Sequence, residues 1–279
     1  MSAQSNYFNS DNLKLHYLQW GNKDGVPVIM LHGLRGFADT WSSLVGALGP
    51  DYCCYALDQR GRGESDWGEA KDYNTAVYVK DLEAFIDHLG LDQFVLIGHS
   101  MGGANSLEYI RQHPEKVIAM VIEDIGPGSS RQGDGAERIR REMRNTPLSF
   151  SSWDDAEKFW RTSRPNLTEE ALASRMKNSL REKNGRVCWK HDQSGIAEAR
   201  LAVEPTDLWP AVKSVRCPSL LVKGGNSDFL PAETVKQIMF ENPAFEAVTV
   251  SDATHYVHDD QPEKFNEAVV SFIRRIISK

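Results

Sequence analysis

The sequence predicts an α/β fold: a mostly parallel central sheet with helices on both faces, interrupted by an inserted helical cap. Three observations carry this. Short β-rich runs alternate with longer segments of helical period, one stretch past the middle breaks that alternation, and a glycine-flanked serine stands between a strand and a helix.

The β-rich runs are Val26 to Leu31, Tyr52 to Leu57, Phe94 to Ile97, Val117 to Ile122, Ser219 to Val222 and Phe245 to Val250. Their near-continuous apolar character suits strands buried on both faces. Between them, Asn74 is a candidate N-cap for a helix whose Tyr78, Leu82, Phe85, Ile86 and Leu89 share one face, and Gly90 supplies its stop. Near the end of the chain Pro262 opens a second clear helix, with Phe265, Val269, Phe272, Ile273 and Ile276 as the packing stripe. From Gly126 to Pro210 strand signals vanish behind a loose entry rich in glycine and serine. Residues 1–126 and 211–279 are therefore expected to form the core, and 127–210 the helical cap. Within the cap Trp153, Ala156 and Trp160 fall at helical spacing, as do Leu172, Met176 and Leu180 after a Thr168 cap. The basic run Arg138, Arg140, Arg141 and Arg144 reads as a solvated helix face.

A chain of 279 residues, 41% of them hydrophobic, is ample for a packed core. Its 39 acidic against 32 basic residues leave a net charge of -7, which argues against nucleic acid as a partner. No apolar run approaches the roughly 20 residues of a membrane span, and Met1 to Asp11 lacks the basic, apolar and small-residue order of a leader. A cytoplasmic protein without a membrane partner is the expectation; a protein partner is left unknown. Cys53, Cys54, Cys188 and Cys217 show no metal-ligand spacing and read as buried reduced thiols, so no metal or other cofactor is expected.

The chemistry-bearing segment is Gly98-His99-Ser100-Met101-Gly102-Gly103, between the strand Phe94 to Ile97 and a helix-compatible run ending at Pro114. A nucleophilic serine must sit on a tight strained turn above the sheet, and side chains at Gly98 or Gly102 would meet neighbouring backbone. At the end of the strand Val26 to Leu31, His32-Gly33-Leu34-Arg35-Gly36 is a glycine-rich loop able to turn an amide toward that serine. Position nominates the N–H groups of Leu34 and Met101 as oxyanion donors, with His32 holding the loop.

The base is expected after the last strand, in Thr254-His255-Tyr256-Val257-His258. His255 is the candidate, and His258 a hydrogen-bonding support near the final helix. His99 adjoins the nucleophile but must point away from it, while His16, His88, His113 and His191 read as ordinary surface histidines. Two aspartates, Asp124 and Asp228, each follow a strand on the correct side of the sheet to orient His255.

On these landmarks, together with Asp58 to Ser65 and the spacing from His255 to Pro262, the chain resembles the α/β-hydrolase superfamily over essentially its whole length. Thr254 and Asp260 stand where the common pattern of that family has Gly and Glu. Glu123-Asp124-Ile125-Gly126-Pro127, with the run Gly224 to Ser227, is similar to a subset of bacterial esterases whose acid has moved to the end of the preceding strand. That resemblance implies Asp124 as the acid, Asp228 as the alternative, and Ser227 as an accessory hydrogen bond to the triad.

A serine at the elbow excludes the alkyl-ester chemistry that relatives with an aspartate there perform. Acyl transfer to water remains, on a small carboxylic ester, thioester or lactone. Carbon-carbon bond hydrolysis and cofactor-free perhydrolysis use the same residues, and a ligand receptor on the same fold is the alternative of another class. Trp153, Trp160, Trp189 and Trp209 are candidates for an apolar acyl pocket.

Overall fold

A computed structural model describes residues 1–278. Eight strands form the central sheet: β1 (Gln4–Ser10), β2 (Leu13–Trp20), β3 (Val26–Leu31), β4 (Tyr52–Leu57), β5 (Phe94–His99), β6 (Val117–Glu123), β10 (Ser219–Gly224) and β11 (Phe245–Val250). Their spatial order is β1-β2-β4-β3-β5-β6-β10-β11. The strands from β4 to β11 run parallel, whereas β1 and β2 form a hairpin and β2 meets β4 antiparallel. The six expected strands are all present. The hairpin is an addition to them, because polar residues interrupt its pattern: in β1 only Phe8 and Ser10 are buried, so pairing with β2 makes the strand.

Helices cover both faces. On one side α1 (Ser42–Leu48) and α11 (Pro262–Ile277) bury Leu44, Val45, Phe265, Val269 and Ile273 against Val28, Ile97 and Val121 of the sheet. A single turn, α10 (Val257–Asp260), leads into α11. On the other side, α2 (Thr75–Leu89), α3 (Met101–Gln112), α8 (Trp209–Ser214) and α9 (Ala232–Glu241) bury Leu82, Phe85, Leu107, Val212 and Ile238 against Ile29, Leu96 and Ile122. The side chain of Asn74 accepts from the Val77 N–H at 3.1 Å and caps α2, and Gly90 ends it at φ 65°. No helix among the described residues is long and apolar enough to cross a membrane.

Between β6 and α8 lie α4 (Asp134–Asn145), α5 (Trp153–Ser163), α6 (Glu169–Ser179) and α7 (Gln193–Ala202). This segment is not purely helical, as the loss of strand signals implied. It carries a three-stranded antiparallel sheet of β7 (Ser149–Phe150), β9 (Arg186–Trp189) and β8 (Leu180–Lys183). The strands are two to four residues long, too short for a two-residue period to register in the sequence. Its own core gathers Phe150, Trp160, Leu172, Val187 and Trp189. The expected stripe packs into this core, with Leu172 and Leu180 buried and Met176 against them, and the buried face of α6 also includes Arg175 and Ser179. Arg138, expected to be solvated, is instead half-buried and paired with Asp228 and Glu142.

The four cysteines are free; Cys53, Cys54 and Cys217 are buried, while Cys188 is partly exposed in the cap sheet. His16 and His191 are buried, against the surface role expected of them. His16 Nδ1 lies 2.7 Å from Asp58, and His191 Nε2 lies 2.9 Å from Gln193 Oε1, so each is neutralised or satisfied locally.

Candidate active site

The end of β5 turns sharply into α3, and Ser100 occupies that turn at φ 51° and ψ -115°, outside the regions an L-residue prefers. The glycines explain how the turn is possible. A Cβ on Gly102 would stand 2.2 Å from the Leu31 carbonyl oxygen, and one on Gly98 would stand 2.5 Å from the Gly102 carbonyl oxygen. The Ser100 N–H donates to the Glu123 carbonyl at 2.9 Å, tying the turn to the end of β6.

Ser100 Oγ lies 2.8 Å from His255 Nε2, and His255 Nδ1 lies 2.8 Å from Asp124 Oδ2. With Nδ1–H donating to the carboxylate, Nε2 is free to accept the serine proton. Asp124 follows β6 directly at φ 50° and is fully buried. Its Oδ1 accepts from the Gly224 N–H at 2.9 Å, and its Oδ2 also accepts from the Ser227 hydroxyl. Asp228, the alternative acid, does not join this set. Its carboxylate receives Nε and Nη2 of Arg138 at 2.7 and 2.8 Å, and that guanidinium holds its pKa below the usual range.

Met101 opens α3 next to Ser100, and Leu34 lines the same cavity from the loop after β3. No acceptor is found among the described residues for either N–H, which leaves both able to face a developing oxyanion. His32 braces that loop. Its Nδ1 lies 2.7 Å from the Gly33 carbonyl, and its Nε2 accepts from the Gln59 N–H at 3.1 Å. Burial lowers the His32 pKa to about 4, so it is a neutral donor and acceptor at neutral pH.

Two further histidines stand behind His255. His99 donates from Nε2 to the His255 carbonyl at 2.9 Å, and burial followed by the nearby His255 and His258 pushes its pKa well below the ordinary value. His258 bonds both carboxylate oxygens of buried Glu123 at 2.8 Å and contacts the Thr40 hydroxyl at 2.9 Å. Burial opposes its charge, but Glu123 and Asp259 outweigh that and raise its pKa. Candidate ligand atoms of His99, Glu123 and His258 lie within 4.8 Å of one another, yet the Nε2 of His99 and the Nδ1 of His258 are already taken up by these contacts. Sequence reasoning missed the part of Glu123; a lone acid ending the apolar run Val117 to Ile122 is the available signal.

The cavity above Ser100 has a volume of about 150 Å³. Of the four tryptophans nominated for it, only Trp160 lines it; Trp189 lies in the cap core, Trp153 is exposed and Trp209 packs beside the main core. Ile139, Ile196 and Ala199 supply apolar wall instead. Arg164 and Arg175, which sequence reasoning passed over, also face it, and the only hint is an arginine at the buried spacing of α6.

The family model described as "alpha/beta hydrolase fold" matches residues 26–262. The chain belongs to the α/β-hydrolase family, and it is a hydrolase by that membership. Among curated relatives, the putative 2-succinyl-6-hydroxy-2,4-cyclohexadiene-1-carboxylate synthase of Bacillus subtilis is 29% identical, over 96% of this chain and 97% of its own length. The N-formylmaleamate deformylase of Pseudomonas putida is 27% identical, over 95% of this hydrolase and 94% of the relative. The crystal structure of E-2-(acetamidomethylene)succinate hydrolase superposes with a TM-score of 0.88 at 23% identity, covering 98% of this chain and 99% of that one, a likeness of fold.

Proposed function

We propose that this α/β hydrolase cleaves a small carboxylic ester, thioester or lactone through an acyl-enzyme on Ser100. The observation that carries the reading is the continuous relay from Ser100 Oγ through His255 to Asp124, with 2.8 Å at each step. Ser100 Oγ attacks the acyl carbon while His255 Nε2 takes its proton, and the N–H groups of Leu34 and Met101 receive the charge on the carbonyl oxygen. His255 returns the proton to the departing alcohol or thiol as the tetrahedral species collapses. Water then attacks the acyl group by the same route and frees Ser100. Asp124 fixes the tautomer and balances the imidazolium, with Ser227 and the Gly224 N–H holding its carboxylate. Free cysteines fit a cytoplasmic setting.

A second reading is favoured by the deformylase relative, whose name states removal of a formyl group from N-formylmaleamate: hydrolysis of an acyl-nitrogen bond on the same triad. The test is a panel of phenyl esters, thioesters, lactones, N-formyl amides and a β-diketone, each run against Ser100→Ala as the blank. Turnover of the oxygen and sulfur esters, lost in the blank and accompanied by a trapped acyl-serine in mass spectrometry, is the expected result. Turnover confined to formyl amides favours the second reading, and equal rates in wild type and blank overturn both.

A further inference from the structure

Arg164, from the segment after α5, and Arg175, on α6, are 9% and 4% exposed and line the cavity that contains Ser100. Buried guanidinium groups are normally matched by carboxylates and fully hydrogen-bonded. Here they are not. Nη2 of both arginines donates to one and the same oxygen, Asp259 Oδ2, at 3.1 Å for Arg164 and in close contact for Arg175. The other oxygen of Asp259 faces His258 Nε2 at 3.7 Å, so this carboxylate is already divided among two guanidinium groups and an imidazole. Glu123 is committed to His258, and Asp260 accepts through Oδ2 from the backbone and hydroxyl of Thr254, while its buried Oδ1 makes no hydrogen bond to either arginine.

Several donors remain. Arg175 Nε is buried with no partner among the described residues, and the Arg164 guanidinium forms no hydrogen bond among those residues other than that to Asp259. The Arg164 guanidinium lies 3.1 Å over the Tyr256 ring, and Arg175 lies 5.1 Å from the Trp160 ring, so aromatic faces set their orientation. Tyr256 connects this corner to the chemistry, because its ring is 5.0 Å from that of His255. A planar fork held by stacking in the cavity wall, with donors that the described residues leave unpaired, matches a carboxylate more closely than a neutral group.

We propose that Arg164 and Arg175 form an anion subsite that takes a free carboxylate on the substrate, so that the compound cleaved at Ser100 is a monoester, monothioester or monoamide of a small dicarboxylic acid. This rests on the reading of Ser100 as the nucleophile for its catalytic part only. The guanidinium pair recognises the distal carboxylate while the acyl carbon reaches Ser100, and Asp259 keeps the two cations together when the cavity holds no ligand.

Two measurements test it separately. In the first, Ser100→Ala protein is titrated by calorimetry with succinate, glutarate and adipate, and in parallel with sulfate and phosphate. Saturable binding of at least one dicarboxylate, weakened about 10- to 100-fold by Arg164→Gln and partly restored by Arg164→Lys, is expected. No dicarboxylate binding, or equal binding by the Arg164→Gln protein, overturns the subsite, and tight binding of sulfate or phosphate alone overturns the carboxylate assignment. In the second, phenyl monoesters of the three diacids are compared with phenyl butanoate, pentanoate and hexanoate. The wild type is expected to prefer at least one charged ester over its neutral partner by about tenfold or more in kcat/KM, and Arg164→Gln to bring that ratio near one. A ratio unmoved by Arg164→Gln overturns the inference even if every ester is hydrolysed. Because the first measurement needs no turnover, binding without hydrolysis sinks the nucleophile reading and leaves the subsite standing.

Discussion

The two aspartates that chain order leaves equivalent have opposite surroundings. Asp124 is fully buried against His255, Gly224 and Ser227, whereas Asp228 is partly exposed and neutralised by Arg138. If Asp124 orients the base, Asp124→Asn lowers kcat by roughly 10⁴, the loss typical of a triad acid, while Asp228→Asn stays within about tenfold of the parent. Steady-state kinetics on the best ester of the panel checks the pair, and the reverse ranking returns Asp228 to the triad. His258 shows what a buried residue next to the site does for stability. Its pKa is raised in the folded state, so the stability it contributes is full below the ordinary unfolded value of about 6.5 and is lost as pH rises through the higher folded one. The difference in melting temperature between the wild type and His258→Gln is therefore expected to be widest near about pH 6 and to narrow by about pH 9. A difference that grows with pH contradicts the Glu123 pairing as its cause.

The strand-turn-helix element that carries Ser100 depends on close backbone approach. Leu31, at the end of β3, and Gly102, in the first turn of α3, leave no room for a methyl group, since the Cβ would overlap a carbonyl oxygen. Gly102→Ala must push α3 away from β3 and is expected to cost roughly 1–3 kcal/mol, read as a lower denaturant midpoint in urea unfolding. Because α3 also carries the Met101 N–H, activity should fall further than stability alone explains. An Ala variant with wild-type midpoint and activity refutes this account of the turn. Elsewhere the elements track local signals closely. The Asn74 cap, the Gly90 stop and the Pro262 start all mark helix ends, because each acts on backbone groups within one turn.

Across the molecule, the polar ties between cap and core include three besides those of Arg164 and Arg175 to Asp259. Arg138 of α4 reaches Asp228 after β10, Arg35 after β3 reaches Glu142 and Thr146, and the Trp67 indole donates to the Lys190 carbonyl. Arg138→Ala removes the first of these and frees Glu142 from one partner, so the cap is expected to loosen. The outcome should be a KM raised several-fold with kcat changed less, together with faster proteolysis between 127 and 210. Unchanged KM and protease resistance would show that the remaining cap contacts suffice without Arg138.

Whatever rests on short-range physics could be read from the residues alone. Six strands, the helices opened by Asn74 and Pro262 and the glycine-flanked serine come from period, caps and the steric demands of one turn, and His255 comes from its place after the last strand. The hairpin β1–β2 and the cap sheet could not be read, since their residues become strand only by pairing with partners already in place. The same holds for charge. Motif resemblance favours Asp124 over Asp228, but no local charge or periodicity separates the two or marks Arg175 on α6 as buried, because the matching guanidinium, imidazole and carboxylate come from segments separated by up to 131 residues in the chain. Electrostatic environment and burial are properties of what packs around a side chain, and for these residues only the folded arrangement of sheet and cap decides them.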